Sequence, residues 1–543
     1  MASSPSTSPS YLGKNPSPQA FAKYAKKHDI FLHPDVAFLV PTKTMGMGVF
    51  AARLLPVGTV VLSCPEASGV SPYMKDAITS PCVAVLHASP AAMQDAVLFD
   101  VLVLMSELCR PHSLWRPWLE SCPPMIHHLF DLTPNQAAVL GVAPAVAVKA
   151  VGETAPDRCS STEVGGNSSS STSLTLGLSP LTGVAQALEE LCVKGRWAVA
   201  QKIISSAPDV WPAEKATLEL FCDCLAQVFS RNFHREELAG REGPYLLPGL
   251  DILNHSFTAN TTFEVRGGGR KHATAFTVVT TRAVKKGEQV YGCYGRIGAA
   301  RFAVEFQFVT KSVLRNDLVR CSAASLATVA TLMHYILVAA AGESTANASA
   351  LIEDYLNEIP EAEGSVVACP TGDWKPELFG SDSSAEVAAL HKDMERRVEQ
   401  LQRLGILFDE GLYLVRPYAT WTEEEAAEGA ATFRWSAPSE HEKEVAQHGR
   451  VLAATVYLLT APKTEYEDLY HRITVEWTAP QTAAVARAVR VFVAIKVAAA
   501  RRQKASLAQV FSSSDRDVVR RQLIHDTLSS EVATLRYYAD AVA

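Results

Sequence analysis

Two short stretches of this chain place polar side chains among apolar neighbours. The first runs from Leu246 to Ser256, where Asp251, Asn254 and His255 interrupt a series of apolar residues. The second ends in Cys293-Tyr294-Gly295, which sets a phenol among small residues after a turn. Buried polar groups must find hydrogen-bonding partners. The Asn-His pair is therefore either a structural lock or a ligand site, and the Tyr hydroxyl is suited to project into a cavity.

The order of these motifs resembles the C-terminal half of a SET domain. Asn254-His255-Ser256 is followed by a hairpin-like stretch, Lys286-Gly287-Glu288 and then Cys293-Tyr294-Gly295. The string Leu247 to His255 is similar to the branch that includes the Rubisco large-subunit lysine methyltransferases and the actin-histidine methyltransferase. The resemblance implies an S-adenosylmethionine-dependent enzyme that methylates a protein lysine. A histidine acceptor, or a non-catalytic interaction scaffold on a SET fold, remain the alternatives.

The resemblance also implies which residues meet the cofactor. Tyr294 takes the position of the catalytic Tyr, with its hydroxyl facing the transferred methyl group and within the cofactor site. Asn254 and His255 take positions that contact the cofactor. The N-terminal loop Gly46-Met47-Gly48 takes the position where glycine lets the backbone approach the ligand. The alternative for Asn254, His255 and Tyr294 is a purely structural role.

Two further charged residues have implied roles and an open alternative. Arg231 takes the place of an Arg that follows the inserted helical lobe and pairs with the cofactor carboxylate. Asp251 sits where the family has a residue close to the acceptor channel, which would make it a substrate-binding residue. For both, a structural ion pair or a helix cap is the alternative.

Methyl transfer from a sulfonium asks little of protein side chains. The leaving group is already activated, so alignment of nucleophile, methyl carbon and sulfur, together with electrostatics, supplies most of the acceleration. A lysine acceptor must be neutral when it attacks, although its unperturbed pKa is about 10.4. A narrow apolar channel lowers that pKa by disfavouring the ammonium form. We therefore expect a buried tunnel lined by aromatic rings and carbonyl groups, with no strong base.

The chain departs from the family pattern in three places. Met45 precedes the first Gly, where the family commonly has an acidic residue. Gly298-Ala299 stands in place of a Ser-Asn, which removes a helix cap or a cofactor-side hydrogen bond. Phe306-Gln307-Phe308 replaces Tyr-Gly-Phe, so the turn at Gln307 is expected to differ. The resemblance in motifs covers roughly Val36 to Val309.

Hydrophobic patterns indicate the elements that position these motifs. Val36–Val40 and Thr59–Leu62 read as strands, and Thr261–Val265 with Ala273–Val279 as a hairpin. Val97 to Leu108 has a helical apolar face, followed by Trp118 in a packing role. The same Arg-to-Gly interval occurs twice, in Arg53 to Gly58 and in Arg282 to Gly287. It suggests two strand–turn–strand units in one sheet, and coincidence is the alternative.

These patterns predict an α+β chain. Residues 1–20 are Ser/Pro-rich and expected to be disordered. The resemblance implies a SET domain with small discontinuous sheets over 21–310, with an inserted helical lobe at about 85–233 that contains a flexible loop at 157–183. The pattern over 311–543 indicates an all-helical domain, and the resemblance implies that this C-terminal domain binds the substrate.

Composition limits the function classes. The 543 residues carry a formal net charge of -7 and no concentrated basic stripe, which argues against a nucleic-acid partner. No apolar run reaches membrane-spanning length, and 11 scattered Cys read as reduced intracellular thiols. Cys222-x-Cys224 with His234 lacks a second ligand pair, so no metal is expected.

The expected partner is a protein substrate. No Cys cluster follows Tyr294, so the zinc-binding tail of many histone-directed SET enzymes is missing, which favours non-histone proteins. We expect a soluble monomer in the cytoplasm, with the nucleus as the alternative location.

Overall fold

A computed structural model describes most of the chain, in two compact units. Its described residues are 17–43, 45–74, 80–125, 127–142, 180–238, 240–267, 273–342, 384–420, 438–474 and 477–541. Among these, residues 17–128 and 193–295 form the first unit, and the others form the second. Residues 1–16 of the expected disordered N-terminus and most of the expected loop 157–183 lie outside the described residues.

The strands of the first unit build two four-stranded sheets and one two-stranded sheet. They are β1 (Phe31–Leu32), β2 (Val36–Pro41), β3 (Met47–Ala51), β4 (Val60–Pro65), β5 (Asn232–Phe233), β6 (Tyr245–Leu246), β7 (Asn254–His255), β8 (Thr261–Arg266), β9 (Ala275–Thr280) and β10 (Gln289–Gly292). The sheet orders are β1-β4-β9-β8, β2-β3-β10-β7 and β5-β6. Each four-stranded sheet therefore joins strands from before and after the helical lobe, as predicted.

The two Arg-to-Gly segments noted in the sequence pair with each other. Leu55 and Val284 exchange both backbone hydrogen bonds, each at 2.9 Å, in an antiparallel bridge. Gly58 and Gly287 end the segments with nearly equal φ angles of 80° and 79°. The shared interval is thus a structural repeat. The predicted hairpin is also confirmed, because β8 and β9 pair antiparallel from Thr261↔Thr280 to Arg266↔Ala275.

The first unit also contains helices. They span Pro18–Lys27, Cys82–His87, Pro90–Gln94, Ala96–Cys109, Arg116–Leu119, Val193–Ser206 and Leu218–Arg231. The helix predicted from Val97 to Leu108 is confirmed, and its residues from Leu98 onwards are buried. The Trp211 indole donates to the Leu102 carbonyl at 3.0 Å. Burial on all sides makes this helix the core of the helical lobe.

The N-terminal helix, Pro18–Lys27, includes residues that were expected to be disordered. Residues 18–20 were expected to be disordered, but they form its first turn. The Ser17 hydroxyl accepts from the Ala20 amide at 3.2 Å, and Pro18 suits a first helical position because its missing N–H needs no partner there. Phe21 and Tyr24 then bury their rings. The helix cap and the buried aromatic rings thus stabilise a helix in a segment whose Ser/Pro-rich composition predicted disorder.

The second unit is mainly helical and also contains a small sheet. Its helices span Pro134–Val139, Gly183–Glu190, Ala299–Arg301, Phe302–Phe306 (a π-helix), Lys311–Arg315, Ala323–Gly342, Ser384–Arg403, Pro438–Thr460, Lys463–Tyr470, Ala483–Val510 and Asp515–Ala541. β11 (Leu318–Cys321) pairs antiparallel with β12 (Leu412–Val415). The expectation of an all-helical C-terminal domain was therefore wrong in this detail, because a run of four mainly apolar residues fits a short strand and a helical turn equally well.

Two departures from the family pattern are accommodated within the second unit. The Asp317 carboxylate accepts from the Ala299 amide at 2.7 Å, so it caps the helix where the family has Ser-Asn. Gln307 adopts the left-handed conformation, with φ at 61°, in the place of the family Gly. A non-glycine residue pays a steric cost there, yet the turn keeps the conformation that glycine favours.

The compact units and the predicted domain limits differ in two respects. The first unit ends at Gly295, and residues 129–192 are grouped with the C-terminal half. The boundary at 310 stays a prediction. In the part of the chain with described coordinates, no helix is long and apolar enough to cross a membrane.

Candidate active site

Strand pairing brings the Asn-His motif and the Tyr-Gly motif together. β7 lies parallel to β10, with Asn254 opposite Tyr291 and His255 opposite Gly292. The next backbone hydrogen bond runs from Ser256 N to the Gly292 carbonyl at 2.9 Å. Tyr294 lies two residues beyond this pair. Motifs about 40 residues apart in sequence thus meet at one edge of the β2-β3-β10-β7 sheet.

Tyr294 is held at both its backbone and its side chain. Its amide donates to His255 Nδ1 at 3.1 Å, and its hydroxyl donates to the Leu253 carbonyl at 2.7 Å. Burial raises the pKa of the phenol to about 12; the charge of Arg231 opposes that rise and the charge of Asp251 adds to it. The phenol is therefore protonated at neutral pH. It acts as a hydrogen-bond donor and is not a base.

The imidazole of His255 is buried and neutral. It is 6% exposed, and its ring lies 4.5 Å from the Phe257 ring and 5.1 Å from the Tyr294 ring, centroid to centroid. Burial lowers the pKa of His255 to about 4. Because Nδ1 accepts from Tyr294 N, the proton of the neutral ring resides on Nε2. The side chain positions Tyr294 through its backbone.

Asp251 is the centre of a buried polar network. Its Oδ2 accepts from the Trp118 indole at 2.9 Å and from Arg231 Nη1 at 3.0 Å, and its Oδ1 accepts from the Gly249 amide at 2.9 Å. These bonds fix the 3₁₀ turn Leu250–Ile252, which leads directly into Leu253 and Asn254. The Asp251 carboxylate thus orients the backbone that carries the Leu253 carbonyl, which accepts the hydrogen bond from the Tyr294 hydroxyl.

Trp118 has a role that the sequence did not predict. Only a packing role was expected of it, and it is indeed fully buried. Its indole N–H also donates a hydrogen bond to the Asp251 carboxylate, which lies 133 residues away in sequence. A buried indole usually requires an acceptor. The need for an acceptor could therefore have been predicted from the sequence, but the identity of the acceptor could not.

Arg231 ends the helix Leu218–Arg231 and reaches the same turn. Its Nη1 donates to the Asp251 carbonyl at 2.8 Å as well as to the carboxylate, and its Nε donates to Gln227 Oε1 at 2.9 Å. The ion pair that the sequence left as an alternative is therefore present. A contact between Arg231 and the cofactor carboxylate, and a contact between Asp251 and the substrate, stay predictions.

The Gly-x-Gly loop joins this assembly through Asn254. The side-chain amide nitrogen of Asn254, Nδ2, donates to the Met47 carbonyl at 3.1 Å. Gly46 adopts a φ of 66°, and its carbonyl accepts from the Thr42 amide at 2.7 Å, which closes the turn before β3. A Cβ on Gly48 would lie 3.1 Å from Asn254 Nδ2, closer than side chains normally pack. Glycine is needed at both positions, for the turn and for the close approach.

The structure thus brings every residue of the predicted site into the first unit. Asn254, His255 and Tyr294 are directly linked, Met47 joins through Asn254, and Arg231 joins through Asp251. Gln289 on β10 was not predicted but also faces Gly48. Among the described residues, no group of three or more His, Cys, Asp and Glu side chains is arranged to hold a metal.

Comparisons with known proteins bear on the family and the fold of this chain. Residues 46–295 match the family model described as SET domain, which confirms the predicted SET domain and its α+β fold. An N-lysine methyltransferase setd6 from Salmo salar is 29% identical over 100 residues, which cover 17% of this chain and 21% of that protein. The match therefore spans about a fifth of the relative's length.

Solved structures with a similar chain trace include two of LSMT. One is described as the SET domain of LSMT bound to lysine and AdoHcy, with 15% identity, 99% of this chain and 92% of that chain covered, and a TM-score of 0.49. The other is Rubisco LSMT bound to sinefungin and monomethyllysine, with 15% identity, 97% and 92% covered, and a TM-score of 0.48.

Proposed function

We propose that this chain, which contains a SET domain, is an S-adenosylmethionine-dependent methyltransferase that acts on a lysine side chain of a protein. The observation that carries the proposal is the fixed, protonated phenol of Tyr294 beside the linked Asn254-His255 and Gly46–Gly48 segments. All of these lie within the SET-domain match. The similarity to an N-lysine methyltransferase over 100 residues supports lysine as the acceptor.

The residues of the site fit S-adenosylmethionine. Gly48 lets the side-chain amides of Asn254 and Gln289 approach the loop backbone, where a Cβ would collide with both. The Nε2 of Gln289 is buried and has no hydrogen-bond partner in the structure. An unsatisfied buried donor costs free energy, so this site favours a ligand that brings acceptor atoms. Gly46, Met47, Gly48, Asn254 and His255 would hold it.

The cofactor supplies an activated methyl group, and the protein supplies position and electrostatics. The Tyr294 hydroxyl and the Leu253 carbonyl form a rigid pair of oxygens, because the Asp251 network fixes the turn that carries the carbonyl. Oxygens held in this way stabilise partial positive charge without reorganising. The lysine amine must reach the site neutral, which a buried channel promotes by disfavouring the ammonium.

The proposal extends to the substrate class and the setting. We propose a non-histone protein substrate, since the sequence after Tyr294 lacks a Cys cluster. We also propose a monomer that acts in the cytoplasm, without nucleic acid, in line with the net charge of -7. One argument for the scaffold alternative was the missing Ser-Asn. That argument is weakened, because Asp317 caps the helix at this place.

A radiolabel transfer assay tests the proposal. Purified protein and tritiated S-adenosylmethionine are incubated with lysate from the native source, beside the Tyr294→Phe variant. We expect a labelled band with the wild type that is absent with the variant, and mass spectrometry of that band should locate the methyl group on lysine. A methylated histidine would overturn the lysine assignment.

Calorimetry with S-adenosylmethionine separates the enzyme from the scaffold. The wild-type chain is expected to bind it. Absence of binding up to millimolar cofactor, together with no labelled band, would establish the scaffold alternative.

A further inference from the structure

Gln289 has an unused pair of hydrogen-bond donors inside the candidate site. The residue is 9% exposed, and its Nε2 is buried without a hydrogen-bond partner. Its Oε1 accepts from the Tyr291 hydroxyl at 2.9 Å. Because that bond engages the oxygen side of the amide, the NH₂ side is directed elsewhere. A buried amide nitrogen without an acceptor is uncommon in native proteins and requires an explanation.

The NH₂ group of Gln289 is directed to the Gly-x-Gly loop. A Cβ built on Gly48 would lie 2.7 Å from Gln289 Nε2 and 3.1 Å from Asn254 Nδ2. Two side-chain amides from different strands therefore converge on Gly48, where the loop has no side chain. Asn254 uses its NH₂ on the Met47 carbonyl, whereas Gln289 makes no such bond.

The backbone around Gln289 is held firmly. The Asn260 side chain donates to the Gln289 carbonyl at 2.8 Å and accepts from the Tyr291 amide at 2.8 Å. Asn260 is itself fully buried, and Gln289 pairs with Phe50 on β3. The donor is thus placed before any ligand arrives, which is the arrangement of a preorganised binding group.

We propose that Gln289 is a cofactor-binding residue whose Nε2 donates a hydrogen bond to an acceptor atom of S-adenosylmethionine. This inference rests on the proposed function and adds a residue to its site. It explains why a polar side chain with an unsatisfied donor occupies a buried position on β10. It also gives Gly48 a second purpose, since any larger residue would displace the Gln289 amide.

Two substitutions test this role by calorimetry with S-adenosylhomocysteine. Gln289→Glu keeps the size of the side chain and the acceptor for Tyr291 but removes the donor, and Gln289→Leu removes the whole amide. We expect the dissociation constant of the folded protein to rise at least about tenfold in both. Gln289→Leu introduces no buried charge, so its melting temperature should lie closer to wild type than that of Gln289→Glu. Gln94→Leu, at an exposed position of the first unit, is the matched control.

A second ligand locates the acceptor. 5′-Methylthioadenosine lacks the amino-acid end of the cofactor. Weaker binding of both ligands by the variants places the acceptor on the adenosine, and weaker binding of S-adenosylhomocysteine alone places it on the amino-acid end. Either result supports the role of Gln289.

The outcomes separate this inference from the proposed function. Wild-type binding that Gln289→Glu leaves unchanged or strengthens overturns the role of Gln289 alone. A lower melting temperature with unchanged affinity of the folded protein shows a structural role and also overturns it. A wild-type chain that binds neither ligand overturns both the cofactor assignment and the role of Gln289.

Discussion

A single nitrogen of Arg231 donates to two oxygens of Asp251. Nη1 lies 3.0 Å from the carboxylate oxygen Oδ2 and 2.8 Å from the backbone carbonyl of the same residue. The guanidinium therefore fixes both the side chain and the main chain of the turn that precedes Asn254. Because the Tyr294 hydroxyl donates to the carbonyl of Leu253, which directly follows that turn, an ion pair between two other residues of the predicted site helps to position the candidate catalytic residue.

Removing one partner of this pair is expected to destabilise the protein strongly. The Asp251 side chain is fully buried and that of Arg231 is 12% exposed. Asp251→Ala therefore leaves a buried cation, and it leaves the Trp118 indole N–H and the Gly249 amide without their acceptor. We expect the free energy of unfolding in urea to fall by about 3–5 kcal/mol.

A matched pair on the surface provides the control. Glu264→Ala breaks the exposed Arg266–Glu264 pair and is expected to cost no more than about 1 kcal/mol. Equal losses in the two variants would show that the Arg231–Asp251 pair contributes no more than a surface pair.

Loss of the Tyr294 hydroxyl is expected to slow methyl transfer while sparing cofactor binding. Tyr294→Phe removes the donor to the Leu253 carbonyl and frees the ring to shift. A displacement of about 1 Å at a reacting centre costs roughly 10²-fold in rate, so we expect at least about that loss in the radiolabel assay. Affinity for S-adenosylhomocysteine should change by less than about threefold.

The control for this variant removes a phenol hydroxyl elsewhere in the same unit. Tyr73 donates only a long bond of 3.4 Å to the Gly240 carbonyl, so Tyr73→Phe should retain its transfer rate. A Tyr294→Phe enzyme that is as fast as this control would remove Tyr294 from the mechanism.

Short motifs made much of the site predictable from sequence. Gly46, Gly48, Asn254 and Tyr294 lie at fixed places in strands and turns, where local chemistry limits the residue types that fit. The pairing of Arg53–Gly58 with Arg282–Gly287 was visible as a shared interval, because equivalent turns need equivalent glycines.

Contacts between distant side chains were not predictable in the same way. The bond from Trp118 to Asp251 depends on how the helical lobe packs, and nothing local to either residue specifies it. Gln289 reads in sequence as an ordinary polar residue of a strand. Only the sheet order, which places β10 between β3 and β7, shows that its amide meets Gly48.

Asn254 is expected to be needed as a hydrogen-bond donor. Its Nδ2 donates to the Met47 carbonyl, so Asn254→Asp sets a carboxylate oxygen against that carbonyl without changing the size of the side chain. Loss of the bond together with repulsion should shift the Gly46–Gly48 loop, and we expect affinity for S-adenosylhomocysteine to fall about tenfold or more.

The same substitution at a remote site isolates the effect. Asn316 Nδ2 donates to the Ser312 carbonyl at 2.8 Å in the second unit, and Asn316→Asp should leave the affinity unchanged. If Asn254→Asp binds as tightly as Asn316→Asp, the bond to Met47 does not shape the cofactor loop.

His255 is expected to make stability depend on pH on the acid side. Burial holds the pKa of the folded imidazole at about 4, below the ordinary histidine pKa of about 6.5. The unfolded chain therefore takes up the proton first as pH falls, so the contribution of neutral His255 is complete above about pH 6.5 and is lost between there and pH 4. At 1.36 kcal/mol per pKa unit, the loss is on the order of 3 kcal/mol. Protonation also removes the acceptor that Nδ1 offers to the Tyr294 amide.

His255→Gln tests this contribution, because an amide keeps an acceptor and does not titrate in this range. Free energies of unfolding in urea, measured from pH 7.5 down to pH 4.5, should fall more steeply for the wild type than for the variant. The difference between the two curves isolates His255 from the other groups that titrate over the same range. Parallel curves would mean that His255 has the same proton affinity in the folded and unfolded chains, and that burial does not hold it neutral.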